Sequence, residues 1–206
     1  MERGHRPRTP YPLDEPEQQL LFSELGSEAA EMATFAVNTG ARDQELCTLQ
    51  WARERQLITA DTPQGWRSVF VLPREVVKNG ESRVLVLNDS AQAVLDRVRE
   101  RHPRFVFVSR RGRVPVKHLR SAGWAAARGR AAQRYPECLG REAPTGFRNI
   151  RVHDLRHAYA RRLRAAGVSL EDRRDLLGYR GSSRNALSFA ECATDRRVVI
   201  PTATRD

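Results

Sequence analysis

Hydrophobic positions along this chain change their spacing twice. Beyond Gln19, Leu20, Leu21 and Leu25, and then Ala29, Met32, Ala33, Phe35 and Ala36, fall three and four residues apart, the spacing of one face of an α-helix. Gly26 interrupts this stretch, so two helices are predicted, the second closed by Thr39-Gly40. A further helix is predicted from about Asp43 to Trp51, with Leu46, Leu49 and Gln50 on neighbouring turns. The pattern then shortens. Val69-Phe70-Val71-Leu72 and Val84-Leu85-Val86-Leu87 read as strands flanking Lys78-Asn79-Gly80, and because Asn-Gly favours tight turns a β-hairpin with a lysine near its tip is predicted. Asp89 or Ser90 predicts the cap of a helix through about Arg99, and Phe105-Val106-Phe107-Val108 a third strand. Helical spacing returns from about Lys117 to Arg134, from Val152 to Ala166 and from Leu170 to Leu177, with a loop bearing Pro136, Gly140, Pro144 and Gly146 in between. Ser169 and Asp172 predict a capping box for the last helix. The expected class is α+β, mainly α, with a small antiparallel sheet. Residues 1–18, carrying Pro7, Pro10, Pro12 and Pro16, predict an extended lead-in; 19–192 are expected to form one domain; 193–206 lack apolar periodicity and predict an irregular tail.

Composition narrows the function. With 206 residues, 40% of them hydrophobic, the chain can bury a core. Lys+Arg number 36 against 25 Asp+Glu, a net charge of +11 that argues against a calcium buffer or an enzyme for cationic substrates and points to a polyanionic partner. Between Arg101 and Arg184, 21 basic residues face 6 acidic ones, so the positive field belongs to the second half. Only Lys78 and Lys117 are lysines. Guanidinium groups grip phosphate oxygens in pairs, although codon usage in a G+C-rich genome accounts for arginine equally well. No run nears the roughly 20 apolar residues that span a bilayer, and the opening MERGHRPRTPYPLDEPEQQ has no apolar signal core, so a cytoplasmic protein is expected. Cys47, Cys138 and Cys192 are odd in number and far apart; they predict reduced, structural thiols.

Chemistry concentrates in His153-Asp154-Leu155-Arg156-His157. On a helix, His153, Arg156 and His157 share a face, where two imidazoles and a guanidinium can hold a phosphate. The H-x-x-x-H spacing also permits a zinc pair and hence a metal-dependent hydrolase, but the metalloprotease form of that motif needs Glu after the first His, and Asp154 stands there. A third reading is structural, with one histidine satisfied in the core.

FAVNTGARDQELCTLQW (Phe35 to Trp51), VVKNGESRVLVLND (Val76 to Asp89) and VHDLRHAYARRLRAAGVSLEDRRDLLGYRG (Val152 to Gly181) together resemble, in content and order, the tyrosine recombinase family, the phage-type integrases. The resemblance covers most of the chain after about Pro12. It implies a helical catalytic domain with a small sheet, no metal and no cofactor, and double-stranded DNA as partner, in the family with a tetramer on DNA. Arg42 then matches the first catalytic arginine, Glu45 its acidic support, and Arg156 the second arginine, the two guanidiniums clamping the scissile phosphate. Lys78 matches the lysine that protonates the leaving 5′-oxygen, and His153 the histidine that handles protons at the same phosphate. His157 is expected to support structurally, and Tyr159 to pack as a core aromatic.

Two features depart from the family pattern. Tyr179 follows Leu176-Leu177-Gly178 where a histidine or tryptophan is expected, although its phenol can still donate one hydrogen bond. The nucleophilic tyrosine is expected about nine residues later, and Arg184-Asn185-Ala186-Leu187-Ser188-Phe189-Ala190-Glu191 contains none. A slipped reading frame after about Gly178 is one expectation for this ending, and a missing DNA-binding domain before the catalytic one is another. The sequence thus leaves two main readings, a DNA strand-breaking and rejoining enzyme or a catalytically silent DNA-binding relative that modulates an active recombinase.

Overall fold

The computed structural model describes residues 8–57, 67–109 and 114–179. The stretch 184–191 and the tail 193–206 lie outside the described residues. The chain runs α1 (Glu15–Ser23), α2 (Ser27–Thr39), α3 (Asp43–Cys47), β1 (Glu54–Leu57), β2 (Arg67–Leu72), β3 (Arg83–Val86), α4 (Asp89–Val98), α5 (Ala122–Leu139), α6 (Thr145–Arg148), α7 (Val152–Ala165) and α8 (Leu170–Leu177). This is the expected mainly helical α+β class.

The first correction concerns the lead-in. Residues 8–14 carry no helix or strand, but α1 starts inside the predicted extended segment: the Asp14 carboxylate accepts the Glu17 N–H (2.9 Å), Glu17 reaches back to the Asp14 N–H, and Pro16 sits in the first turn, where its missing donor costs nothing. Extended residues then strap the bundle. Tyr11 donates its hydroxyl to the buried Glu17, which also accepts the hydroxyl of Tyr135 on α5 (2.7 Å), while the Tyr11 N–H reaches Asp154 on α7 (3.3 Å).

Central α2 buries Met32, Ala33, Phe35, Ala36 and Val37 and packs against α4 and α7. Phe35 meets Phe107 and Phe70 edge-on, with ring centroids 5.3 and 6.4 Å apart. The sheet is antiparallel in the order β1-β2-β3, with Phe70 opposite Glu54 on one side and Leu85 on the other. Its third strand is not the predicted one. Phe105–Val108 forms only isolated bridges, Gln50 to Phe105 and Val108 to Pro115, because Val106, Phe107 and Val108 are all buried in the helical core instead of pairing along an edge. The third strand is Glu54-Arg55-Gln56-Leu57, whose polar sequence hides it from an apolar-run criterion; Ser68 and Arg99 bind the Glu54 carboxylate.

Other boundaries shift for local reasons. Helix α3 stops at Cys47 and a short 3-10 turn covers Trp51–Arg53, so the single helix predicted through Trp51 is broken. Asn88 caps α4, accepting the Ala91 N–H (3.0 Å), one residue before Asp89 and two before Ser90, the predicted caps. Helix α5 begins at Ala122, not Lys117, and runs past Pro136 to Leu139, since Tyr135 is held by Glu17 and by Phe147 (centroids 4.9 Å). Ser169 caps α8 as predicted, its hydroxyl oxygen accepting the Asp172 N–H (3.0 Å). Cys47 is buried, whereas Cys138 is exposed and serves no core; Cys192 lies outside the described residues. No described helix is long and apolar enough to cross a membrane.

Candidate active site

The site forms where the ends of three helices meet the start of a strand. Arg42 is the residue before α3, extended in backbone, and its N–H donates to Glu45 Oε2 (2.9 Å) while its Nη1 donates to Glu45 Oε1 (2.6 Å). Its other nitrogen reaches the carbonyl of Gly178, the C-cap of α8 (3.3 Å). Arg156, on the first turns of α7, is 4% exposed; its Nη1 donates to the Gly40 carbonyl (2.6 Å) and its Nη2 to the Leu177 carbonyl. The two arginines, far apart along the chain, thus hold consecutive carbonyls at one helix end.

A third guanidinium that the sequence reading missed completes the hub. Arg83, at the start of β3, is fully buried and donates to Glu45 Oε2 (2.6 Å) and to the carbonyls of Gly40 (3.2 Å) and Leu176 (2.9 Å). Its only sequence signal is a charge opening an apolar run, which does not reveal that the side chain turns inward. Arg42 and Arg83 therefore share one carboxylate while Arg156 bonds only carbonyls beside them, a surplus of positive charge in a low-dielectric setting. Burial would raise the Glu45 pKa, but Arg83 and Arg42 hold it below the ordinary glutamate range. Burial, and then Arg83 and Arg42, pull the Arg156 pKa well below the usual arginine range. A bound anion offsets the repulsion among these guanidiniums.

Two glycines make the close approach possible. Gly40 (φ +64) and Gly178 (φ +59) both occupy the left-handed region, and a Cβ would lie 2.5 Å from a Tyr159 ring carbon at Gly40 and 2.5 Å from Arg83 Cδ at Gly178. Tyr159 is accordingly a buried core aromatic, as expected.

Two of the remaining predicted residues, Lys78 and His153, join Arg42 in lining a groove of about 1040 Å³. Lys78 is exposed on the connection between β2 and β3, where Gly80 (φ +72) closes a turn onto the Val77 carbonyl; its neighbour Asn79 donates to the same Gly178 carbonyl that Arg42 reaches (3.2 Å). His153 projects from the first turn of α7, its pKa lowered by partial burial, then by His157 and Arg156, so the neutral imidazole is favoured. The His153 and His157 rings stand perpendicular with centroids 5.0 Å apart. No cluster of three His, Cys, Asp or Glu occurs among the described residues, so the zinc reading finds no third ligand there. Tyr179 is exposed, its ring centroid 5.5 Å from the Arg156 guanidinium carbon. The far wall, also missed in sequence, carries Lys117, His118, Arg120, Arg128 and Arg151.

The phage integrase family model matches residues 14–185, a span that contains both arginines and the groove. The chain belongs to the phage integrase family. It is 26% identical over 167 residues to the integrase of Salmonella phage P22, an alignment covering 81% of this chain and 40% of that one. The chain therefore spans less than half the length of that relative. Among solved structures, the Tn1549 transposon integrase in complex with transposon right end DNA has a TM-score of 0.58 at 16% identity, covering 95% of this chain and 68% of that one. XerA recombinase has a TM-score of 0.52 at 18% identity, covering 92% and 66%. These likenesses show the fold, that of a tyrosine recombinase catalytic domain.

Proposed function

We propose that this domain acts in site-specific DNA recombination by gripping one phosphodiester of a DNA duplex between Arg42 and Arg156. The observation that carries the reading is the convergence of these two guanidiniums on adjacent carbonyls of α8, beside a groove that Lys78 and His153 also border. A phosphate entering there replaces weak carbonyl dipoles with a full charge, and the surplus of guanidiniums stabilises it most where charge accumulates in the transition state. When an attacking oxygen, which none of these residues supplies, bonds to phosphorus and the P–O5′ bond breaks, Lys78 on its turn protonates the departing 5′-oxygen, which is otherwise a poor alkoxide leaving group. His153, kept neutral, accepts a proton at the same phosphate, and the Tyr179 phenol donates to a non-bridging oxygen. The Tn1549 integrase and XerH recombinase structures hold DNA, which supports a duplex as this domain's partner. Assembly of several copies on that duplex, and a cytoplasmic site of action, belong to the same proposal.

A second reading, a silent relative that binds DNA without cutting it, is favoured by one observation. The chain has four tyrosines, of which Tyr135 and Tyr159 are buried, Tyr11 is tied to Glu17, and none follows Tyr179. Without a phenolic oxygen in the nucleophile's place there is no 3′-phosphotyrosyl intermediate and no energy-conserving rejoining. A suicide DNA substrate, nicked next to the cleavage position, separates the two. A covalent protein–DNA adduct on a denaturing gel establishes cleavage; duplex binding without adduct establishes the silent relative; and failure to bind duplex DNA at low salt removes both.

A further inference from the structure

We propose that Asp43 is a positioning residue that fixes the loop 117–121 as the second wall of the groove, so that Lys117, Arg120 and Arg128 meet the sugar–phosphate backbone beyond the clamped phosphate. This rests on the reading that the groove receives a duplex. The loop has no helix or strand of its own, and its apolar hold is Leu119, 2% exposed. Its tie to the far side of the groove is the Leu119 N–H, which donates to Asp43 Oδ1 at 2.8 Å. Asp43 is the first residue of α3, adjacent in sequence to Arg42, so the clamp and the second wall are joined through neighbouring residues.

The other Asp43 oxygen behaves differently. His118 Nδ1 lies 3.7 Å from Oδ2 and Arg120 Nε 3.9 Å, both on side chains more than half exposed. Contacts that long at the surface hold little. The carboxylate therefore grips the backbone of the loop firmly and its basic side chains loosely, leaving these to exchange Asp43 for phosphate oxygens. Arg128, nearly two turns into α5, donates to the Ile150 carbonyl (3.3 Å), which ties the same wall to the residue two before α7.

The sign of the effect makes the role testable. Removing a carboxylate beside an anion site should strengthen DNA binding by charge alone; losing the loop's anchor should weaken it. Fluorescence anisotropy of the full chain with a labelled duplex of mixed sequence, over a potassium chloride series, reads both affinity and the number of phosphates engaged. Wild-type affinity should fall steeply with salt, by about 0.9 in log–log slope per phosphate engaged. A flat response overturns the reading that the groove receives DNA. Given a steep one, Lys117→Gln/Arg120→Gln/Arg128→Gln should reduce the slope by about 0.9 for each phosphate no longer engaged. Asp43→Ala should weaken binding and reduce the slope with every basic residue still present. Asp43→Asn, whose amide oxygen still accepts the Leu119 N–H, should keep the wild-type slope and bind at least as tightly. The proposal is overturned if the triple variant keeps the wild-type slope, if Asp43→Ala binds as tightly as wild type, or if Asp43→Asn loses as much as Asp43→Ala.

Discussion

Glu45→Gln is the perturbation that most directly weighs the hub. The substitution keeps the side chain's volume, leaves no cavity and removes one charge. That charge faces Arg83 and Arg42, each at 2.6 Å, but the two contacts differ in exposure: Arg83 is 1% exposed and Arg42 19%. The Arg42 contact is partly screened and contributes at most about 1 kcal/mol. Leaving Arg83 buried without its counter-ion costs about 3–5 kcal/mol, a large share of the roughly 5–15 kcal/mol that holds a domain together. With a urea m-value of about 2 kcal/mol/M, the unfolding midpoint should drop on the order of 2 M at neutral pH. Because the folded pKa of Glu45 lies below its ordinary value of 4.5, its contribution is complete above that value and is lost as pH falls through the folded pKa. Wild type should therefore lose stability on acidification more steeply than the variant, and their midpoints should converge. Removing the stranded charge in Glu45→Gln/Arg83→Met should recover part of the loss. Urea melts followed by circular dichroism measure all of this. A loss under about 1 kcal/mol at neutral pH, or a double variant no better than the sum of its parts, would refute the buried hub.

Gly178→Ala should destabilise by at least the roughly 1–2 kcal/mol of a left-handed non-glycine residue, since its Cβ also meets Arg83; an unchanged melting temperature contradicts that geometry. The Tyr159 hydroxyl is buried with no hydrogen-bond partner among the described residues, so Tyr159→Phe should be neutral or stabilising by up to about 1 kcal/mol, and a loss larger than that in thermal melts means a partner exists. Tyr11→Phe removes a bond to a buried carboxylate and should cost about 1.5–3 kcal/mol in urea melts, whereas no change would show that this bond does not hold the strap to α1. Arg156→Gln should abolish capture of a duplex at salt concentrations where wild type still binds, and equal anisotropy titrations would remove Arg156 from the phosphate clamp.

Much of this architecture is legible in the amino-acid pattern. Helix α2 with its Gly40 stop, the strands Val69–Leu72 and Val84–Val86, and α7 and α8 all carry strong apolar spacing with caps. Elements with weak or mixed patterns are missed or misplaced. Polar β1 is defined by pairing, not by composition; 106–108 is apolar because it is buried; and Pro136 is tolerated because Tyr135 is anchored from elsewhere. The convergence of Arg42, Glu45 and Arg156 follows from three short boxes in the right order, but Arg83 does not. A buried arginine is expected only where a carboxylate and several carbonyls converge on it, and its partners come from α2, α3 and α8, far apart in the chain. The wall formed by 117–121 is equally hidden, since a helix is expected there and Asp43 reads as an ordinary first-turn acid.

The hub also has a practical consequence for genetics. Residues 40, 45, 83 and 178 keep the polypeptide folded at the same place where the proposed phosphate clamp lies, so substitutions there in a living host will first lower the amount of intact protein. A survey scored by phenotype alone would count them as chemical defects. Only positions such as Lys78 and Arg120, standing out in solvent, can report on reactivity or grip without also altering abundance.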